Sequence, residues 1–221
     1  MAFKMPRVDE RVLILGSTGS GKTTMGAWLL SQAPFNKIPY VIIDYKRDAL
    51  LAGIDRSEEI GFNEIPKQPG VYHIKPNPVV DDDAIEDWLL KVWGRRNIGL
   101  YIDEALRIPT SRKGAFEAIL TQGRSLHIPV ISLSQRPVDL TRYAFSEANH
   151  VAAFRLTDIR DRKSVSEYVP IPKEYGDSLP EFHSIWYNVG QNRKYTIKPV
   201  PEGEEILDTF WERLKPKRCT L

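Results

Sequence analysis

Gly16-Ser17-Thr18-Gly19-Ser20-Gly21-Lys22-Thr23 matches the P-loop pattern G-x-x-x-x-G-K-[ST] in full, and no other stretch restricts the fold as severely. The pattern needs a strand before it and a helix after it. Arg11-Val12-Leu13-Ile14-Leu15 is a short apolar β-type run, and Thr24-Met25-Gly26-Ala27-Trp28-Leu29-Leu30 suits a helix. Gly16, Gly19 and Gly21 let the backbone curl with its N–H groups inward, where they can cradle phosphate oxygens. The positive end of the following helix adds to that attraction. Lys22 is expected to reach the β- and γ-phosphates and Thr23 to hold Mg²⁺ through its hydroxyl. Ser17, Thr18, Ser20 and Thr24 complete the expected contact set. A chance glycine turn would satisfy the four fixed positions in roughly one chain in a hundred of this size. The sequence therefore predicts a bound nucleoside triphosphate with Mg²⁺.

A second motif lies roughly eighty residues further on, room for two intervening strand–helix units. Asn97-Ile98-Gly99-Leu100-Tyr101-Ile102-Asp103-Glu104 is an apolar run that ends abruptly in two acids. Buried parallel strands read this way, and ligands collect at the carboxyl ends of such a sheet. Beside a P-loop this is the Walker B pattern. Asp103 is expected to hold Mg²⁺ and Glu104 to polarise an attacking water, which points to hydrolysis rather than transfer to a metabolite. A solvated Asp-Glu turn is the plainer alternative for such a pair taken alone.

Further apolar runs at 38–44, 70–74, 129–135 and 150–155 read as strands. Helical patterns fall at 81–93, 113–126, 140–148 and 158–169. Residues 51–69 carry few periodic signals. Residues 184–189 and 195–200 suggest an antiparallel pair, followed by a terminal helix over 204–214 and a basic tail, Lys215 to Arg218. Strand–helix alternation over most of the chain predicts an α/β fold, a mostly parallel doubly wound sheet with helices on both faces and a small C-terminal antiparallel extension. One domain is expected over 1–221, with its core at about 10–200.

Composition narrows the setting. One cysteine, Cys219, cannot staple the fold, so a reducing cytoplasm is expected. No apolar run is long enough to span a bilayer, and the N-terminus does not read as a signal peptide. The net charge of +2 gives no global basic field, so any nucleic-acid surface must be local or assembled from several subunits. His73, His127, His150 and His183 lack metal-ligand spacing, and the five tryptophans read as core or interface anchors.

Gln135 ends the 129–135 run and is placed at the same sheet edge as Asp103 and Glu104, within reach of a γ-phosphate or its attacking water. With Val41-Ile42-Ile43-Asp44-Tyr45-Lys46, Tyr101 to Ala105, the block Gln122-Gly123-Arg124 through Ser134-Gln135-Arg136-Pro137, and Phe154 to Asp161, the chain resembles the FtsK/HerA superfamily of DNA-pumping P-loop ATPases, over about residues 10–200. The resemblance implies an ASCE/RecA-like fold and a homo-oligomeric ring, usually a hexamer, a pentamer being the other form. It also implies ATP at subunit interfaces and double-stranded DNA in the central channel. By it, Gln135 takes the sensor position, and Arg124, placed in the helix before the sensor strand, takes that of an arginine finger reaching a neighbour's nucleotide. Arg155 and Arg160 compete for the finger role, and a surface pairing of Arg124 with Glu117 is the plainer alternative. Tyr45 departs from the Pro often found before that lysine.

With only about ten residues before the first strand, the chain looks most like viral genome-packaging ATPases, including those of membrane-containing bacteriophages. That implies host cytoplasm or a capsid vertex as its location, and a portal or vertex protein as a partner. DNA-gripping candidates are the loop Arg107 to Gly114 and Lys46-Arg47; a solvated cationic loop is the alternative for each. A cellular or conjugative translocase, a non-motor assembly switch and a metabolite kinase remain as rival readings, the last disfavoured by Glu104 beside Asp103.

Overall fold

The computed structural model describes residues 5–7, 9–109, 114–172 and 175–215. Nine strands form one sheet: β1 (Arg11–Leu15), β2 (Pro39–Asp44), β3 (Glu58–Glu59), β4 (Gly70–Ile74), β5 (Gly99–Asp103), β6 (Val130–Ser134), β7 (His150–Ala153), β8 (Ser184–Asn188) and β9 (Arg193–Ile197). Their spatial order is β3-β4-β2-β5-β6-β1-β7-β8-β9. Every pairing from β3 to β7 is parallel, and β8 and β9 add on antiparallel. The central strands β1, β2, β5 and β6 are buried at every residue, because both sheet faces are covered.

Alternation along each strand divides the core. Tyr40, Ile42, Tyr101, Val12 and Ile14 pack under α1 (Lys22–Gln32) and α8 (Gly203–Leu214), where Phe35 stacks on Phe210 at 5.6 Å. Val41, Ile43, Leu100 and Ile102 face the other way, against α3 (Asp82–Arg95) and α4 (Ala115–Gln122). Short helices α2 (Ala49–Ala52), α5 (Arg142–Ser146) and α7 (Tyr175–Ser178), with the longer α6 (Ile159–Tyr168), complete the layers. Trp88 and Trp186 are fully buried, whereas Trp93 and Trp211 remain partly exposed.

The doubly wound sheet and its antiparallel extension agree with the sequence reading. Two helices are shorter than their patterns suggested. The 113–126 pattern yields a helix ending at Gln122: Gly123 N–H still makes a helical bond to the Ile119 carbonyl (2.7 Å), and the turn that follows is closed by Ile128 N–H on the Gly123 carbonyl (2.8 Å). Arg124 thus lies outside the helix assigned to it. The 140–148 pattern yields only α5, preceded by a 3-10 turn at Pro137–Asp139. The featureless 51–69 stretch contains β3, two exposed glutamates at the sheet edge.

Candidate active site

Register alone brings the motifs together. Leu15 pairs with Ser134 and Asp44 with Asp103, so β1, β2, β5 and β6 end side by side at one edge. The P-loop leaves β1 there, between β6 and β7. Gly16 N–H donates to the Ser134 carbonyl (3.3 Å) and Ser17 N–H to the Arg155 carbonyl (3.0 Å), which ties the loop to both neighbours. Gly19 and Gly21 have φ of +76° and +98°, backbone that glycine adopts without strain. At Gly16 a Cβ would sit 2.6 Å from Phe154 Cβ and from Ser20 Oγ, so only glycine fits. Helix α1 starts with no side-chain cap and no acid in its first turn, leaving its positive end for an anion.

A cleft of about 550 Å³ opens over this edge, lined by Thr18, Gly19, Gly21, Lys22, Thr23, Thr24, Lys46 and Gln135 among others. Lys22 is buried, and its Nζ donates to the Ser17 carbonyl at 2.8 Å. Burial, with help from the nearby Lys46 cation, lowers its pKa to about 8.

Glu104 stands just past β5 with φ 85° and ψ 70°, a left-handed conformation that costs a non-glycine residue about 1–3 kcal/mol. The reward is its aim. Its Oε1 accepts from Ser134 Oγ (3.0 Å) and from Gln135 N–H (3.2 Å), while Lys46 Nζ sits 2.7 Å from Oε2. The Gln135 side chain accepts from Thr18 Oγ1 at 2.7 Å, so one residue joins the P-loop to Glu104. Asp103 is fully buried with no hydrogen bond on either oxygen; Lys46 lies 3.8 Å away. Burial raises its pKa to about 6, against the pull of Lys46.

A magnesium ion fits this donor set. The orphaned Asp103 carboxylate and the Thr23 hydroxyl are hard oxygen ligands on neighbouring elements, and Mg²⁺ typically takes one or two protein groups plus phosphate and water. No cluster of three or more His, Cys, Asp or Glu side chains suited to a metal occurs among the described residues.

Sequence reasoning missed Ser134 and Lys46. Lys46 was a DNA-grip candidate, but its ammonium turns inward to Glu104 and Asp103, held there by two buried carboxylates. Arg47 is exposed. Of the other loop candidate, Arg107 is exposed and 110–113 lie outside the described residues, as do 216–221 with the end of the basic tail and Cys219. Arg124 is distant in role from this cleft: its exposed guanidinium lies 3.7 Å from Asp9, near the amino end of β1, and it does not pair with Glu117, which accepts from Thr141. Arg155 is exposed beside Ser17 to Ser20, and Arg160 pairs with Asp158 at 3.0 Å. Of the histidines, His150 is structural, accepting from Trp186 Nε1 (3.2 Å) and contacting Glu10 (2.9 Å).

No protein-family model matches the chain. A curated relative does: the DNA packaging ATPase P9 of Enterobacteria phage PRD1 is 41% identical over 218 residues, covering 95% of this chain and 96% of that protein. Among solved structures, the genome packaging NTPase B204 of Sulfolobus turreted icosahedral virus 2, in complex with AMPPCP, superposes with a TM-score of 0.71 at 21% identity, covering 89% of this chain and all of that one. The pCW3 conjugation coupling protein TcpA, with ATPγS, gives 0.60 at 15% identity, over 94% of this chain and 66% of that one. The likeness to these structures is one of fold. The chain belongs to the viral DNA-packaging ATPase family of PRD1 P9.

Proposed function

We propose that this chain is an ATP-hydrolysing motor that drives double-stranded DNA into a preformed viral capsid, acting as a ring of identical subunits. The observation that carries the reading is the convergence of Lys22, Asp103, Glu104 and Gln135 on one sheet edge, in a chain 41% identical to a phage DNA packaging ATPase. The P-loop N–H groups and Lys22 hold the β- and γ-phosphates. Thr23 and Asp103 would hold Mg²⁺, which would offset the negative charge of the phosphates. Glu104, anchored through Oε1 by Ser134 and Gln135, orients the attacking water and takes its proton. Gln135 senses the γ-phosphate and transmits its presence to Glu104 through its own backbone N–H.

Arg124 is the finger that acts on a neighbour. Its exposure and its place away from its own cleft leave it free to meet the adjacent subunit's γ-phosphate, where a guanidinium offsets transition-state charge. DNA is gripped through its phosphates, which a motor moving over arbitrary sequence requires. Arg107 and Arg47 are the described candidates for that grip. The motor works in the host cell, docking at a capsid vertex.

Steady-state ATPase rate with and without linear double-stranded DNA, across protein concentration, tests the whole reading. A rate per subunit that climbs steeply with concentration and rises with DNA is expected. A rate indifferent to both would replace the motor with an ATP-dependent switch.

A further inference from the structure

Four buried oxygens gathered on one face of the sheet have no hydrogen-bond partner: Asp44 Oδ2, both carboxylate oxygens of Asp103, and Tyr101 Oη. Such groups are few in a folded chain, and each needs an explanation. Register accounts for their common place. Ile42 and Tyr101 pack under α1, so Asp44 and Asp103, two positions further along β2 and β5, lie on that same face. Asp44 pairs with Asp103 across the two strands, whose spacing is about 4.8 Å. Both carboxylates are fully buried, and α1, whose first turn carries Thr23, covers the face they share. We propose that Asp44 is a second carboxylate of the magnesium site, standing beside Asp103 and accepting from the water shell of the cation. The inference rests on the reading of Thr23 and Asp103 as the residues that hold the metal.

Local structure explains only half of Asp44. Its Oδ1 accepts from Asp48 N–H at 3.3 Å, which fastens the turn after β2, and Oδ2 is left over. The carbonyl of an asparagine would serve that turn equally and bury no charge. Lys46 does not answer for the second oxygen. Its ammonium lies 2.7 Å from Glu104 and 3.8 Å from Asp103, and among the described residues no cation pairs with Asp44.

The occupant that suits these oxygens is a cation. A phosphate oxygen only accepts, as they do, and two carboxylates side by side repel an anion. A buried carboxylate with neither donors nor a counter-charge is costly, and a divalent ion removes the cost for both acids at once. Mg²⁺ keeps several of its waters in protein sites, and those waters supply the donors that Asp44 and Tyr101 lack. Acceptors placed around a metal in this way orient its shell and raise its affinity without touching the ion. Asp44 is thus a positioning residue, and its effect is on metal affinity before any turnover.

The test is the affinity of the full chain for ADP, measured by calorimetry with manganese and again in EDTA, for the parent, Asp44→Asn and Asp44→Ser. Manganese stands in for magnesium because it takes the same oxygen ligands. It should tighten ADP binding to the parent. In both variants that gain should shrink about tenfold, while affinity in EDTA does not fall. The full gain in both variants, or an equal loss of affinity in EDTA, overturns the proposal. Failure of both variants to fold overturns it too, since Asp44 then serves the turn. If manganese does not tighten ADP binding to the parent, the reading of Thr23 and Asp103 falls, and Asp44 with it.

Discussion

Asp103 is buried without a hydrogen-bond donor, and its pKa of about 6 stands above its ordinary value of 3.8. Between those pH values the folded chain holds a proton that the unfolded chain has released. The contribution to stability is therefore present below about pH 4 and lost as pH rises through 6. Above that, the ionised group costs about 3 kcal/mol. Asp103→Asn should accordingly stabilise the metal-free protein by up to about 3 kcal/mol at pH 7.5 and by little at pH 4, read by urea unfolding. His73, lowered to about 4 by burial, has the opposite sign in the same window, and comparison with the parent at each pH cancels it. The same carboxyl must be ionised to hold Mg²⁺, so kcat/KM should show an acid limb. Lys46→Met removes the cation that opposes this shift, so the limb should move upward; an unmoved limb would show that Lys46 does not act on Asp103. Lys22→Ala should abolish nucleotide binding or turnover, and Glu104→Gln should bind ATP and fail to hydrolyse it. Rapid turnover in either variant removes that residue from its role.

Helix α1 and the strands beneath it show what can be read from a sequence and what cannot. Continuous apolar runs located β1, β2, β4, β5, β6 and β7 closely, because a doubly covered parallel strand has no polar face to blur it. The P-loop spacing placed α1. Nothing in the sequence announces that Glu104 is left-handed, that Lys46 turns inward, or that Ser134 meets Glu104, thirty positions away. Those facts arise from register between strands, which exists only once the sheet has formed. Gly26 is a similar case. In a helix it looks like a defect worth about 1 kcal/mol against alanine. Here a Cβ would lie 2.8 Å from Tyr101 Oη and 3.1 Å from Leu133, and Tyr101 is wholly buried and cannot yield. Gly26→Ala should therefore destabilise by about 1–3 kcal/mol, the usual cost of overpacking, rather than stabilise. A raised melting temperature would show that the helix can back away from the sheet.

At the scale of the whole molecule, the ring proposed above would repeat each cationic loop around a common axis, so the near-neutral charge of one subunit does not count against DNA binding. The finger assignment belongs to this scale as well. Arg124→Ala should retain nucleotide binding and lose turnover, and mixing it with Glu104→Gln subunits should restore part of the activity, because intact fingers then face intact carboxylates. Absence of rescue in proven mixed rings would return the role to Arg155 or Arg160. The carboxyl end of β6, where Ser134 closes the strand and Gln135 follows it, has a consequence for how such a motor can diversify. Ser134 and Gln135 are consecutive, yet one steadies Glu104 and the other reaches both Glu104 and Thr18. Because side chains alternate along a strand, a single inserted or deleted residue in β6 would reverse which of them faces which partner. The length of β6 thus works as a ruler for the site: the helices and loops around it can vary in length, and β6 cannot without breaking the contacts that hold Glu104.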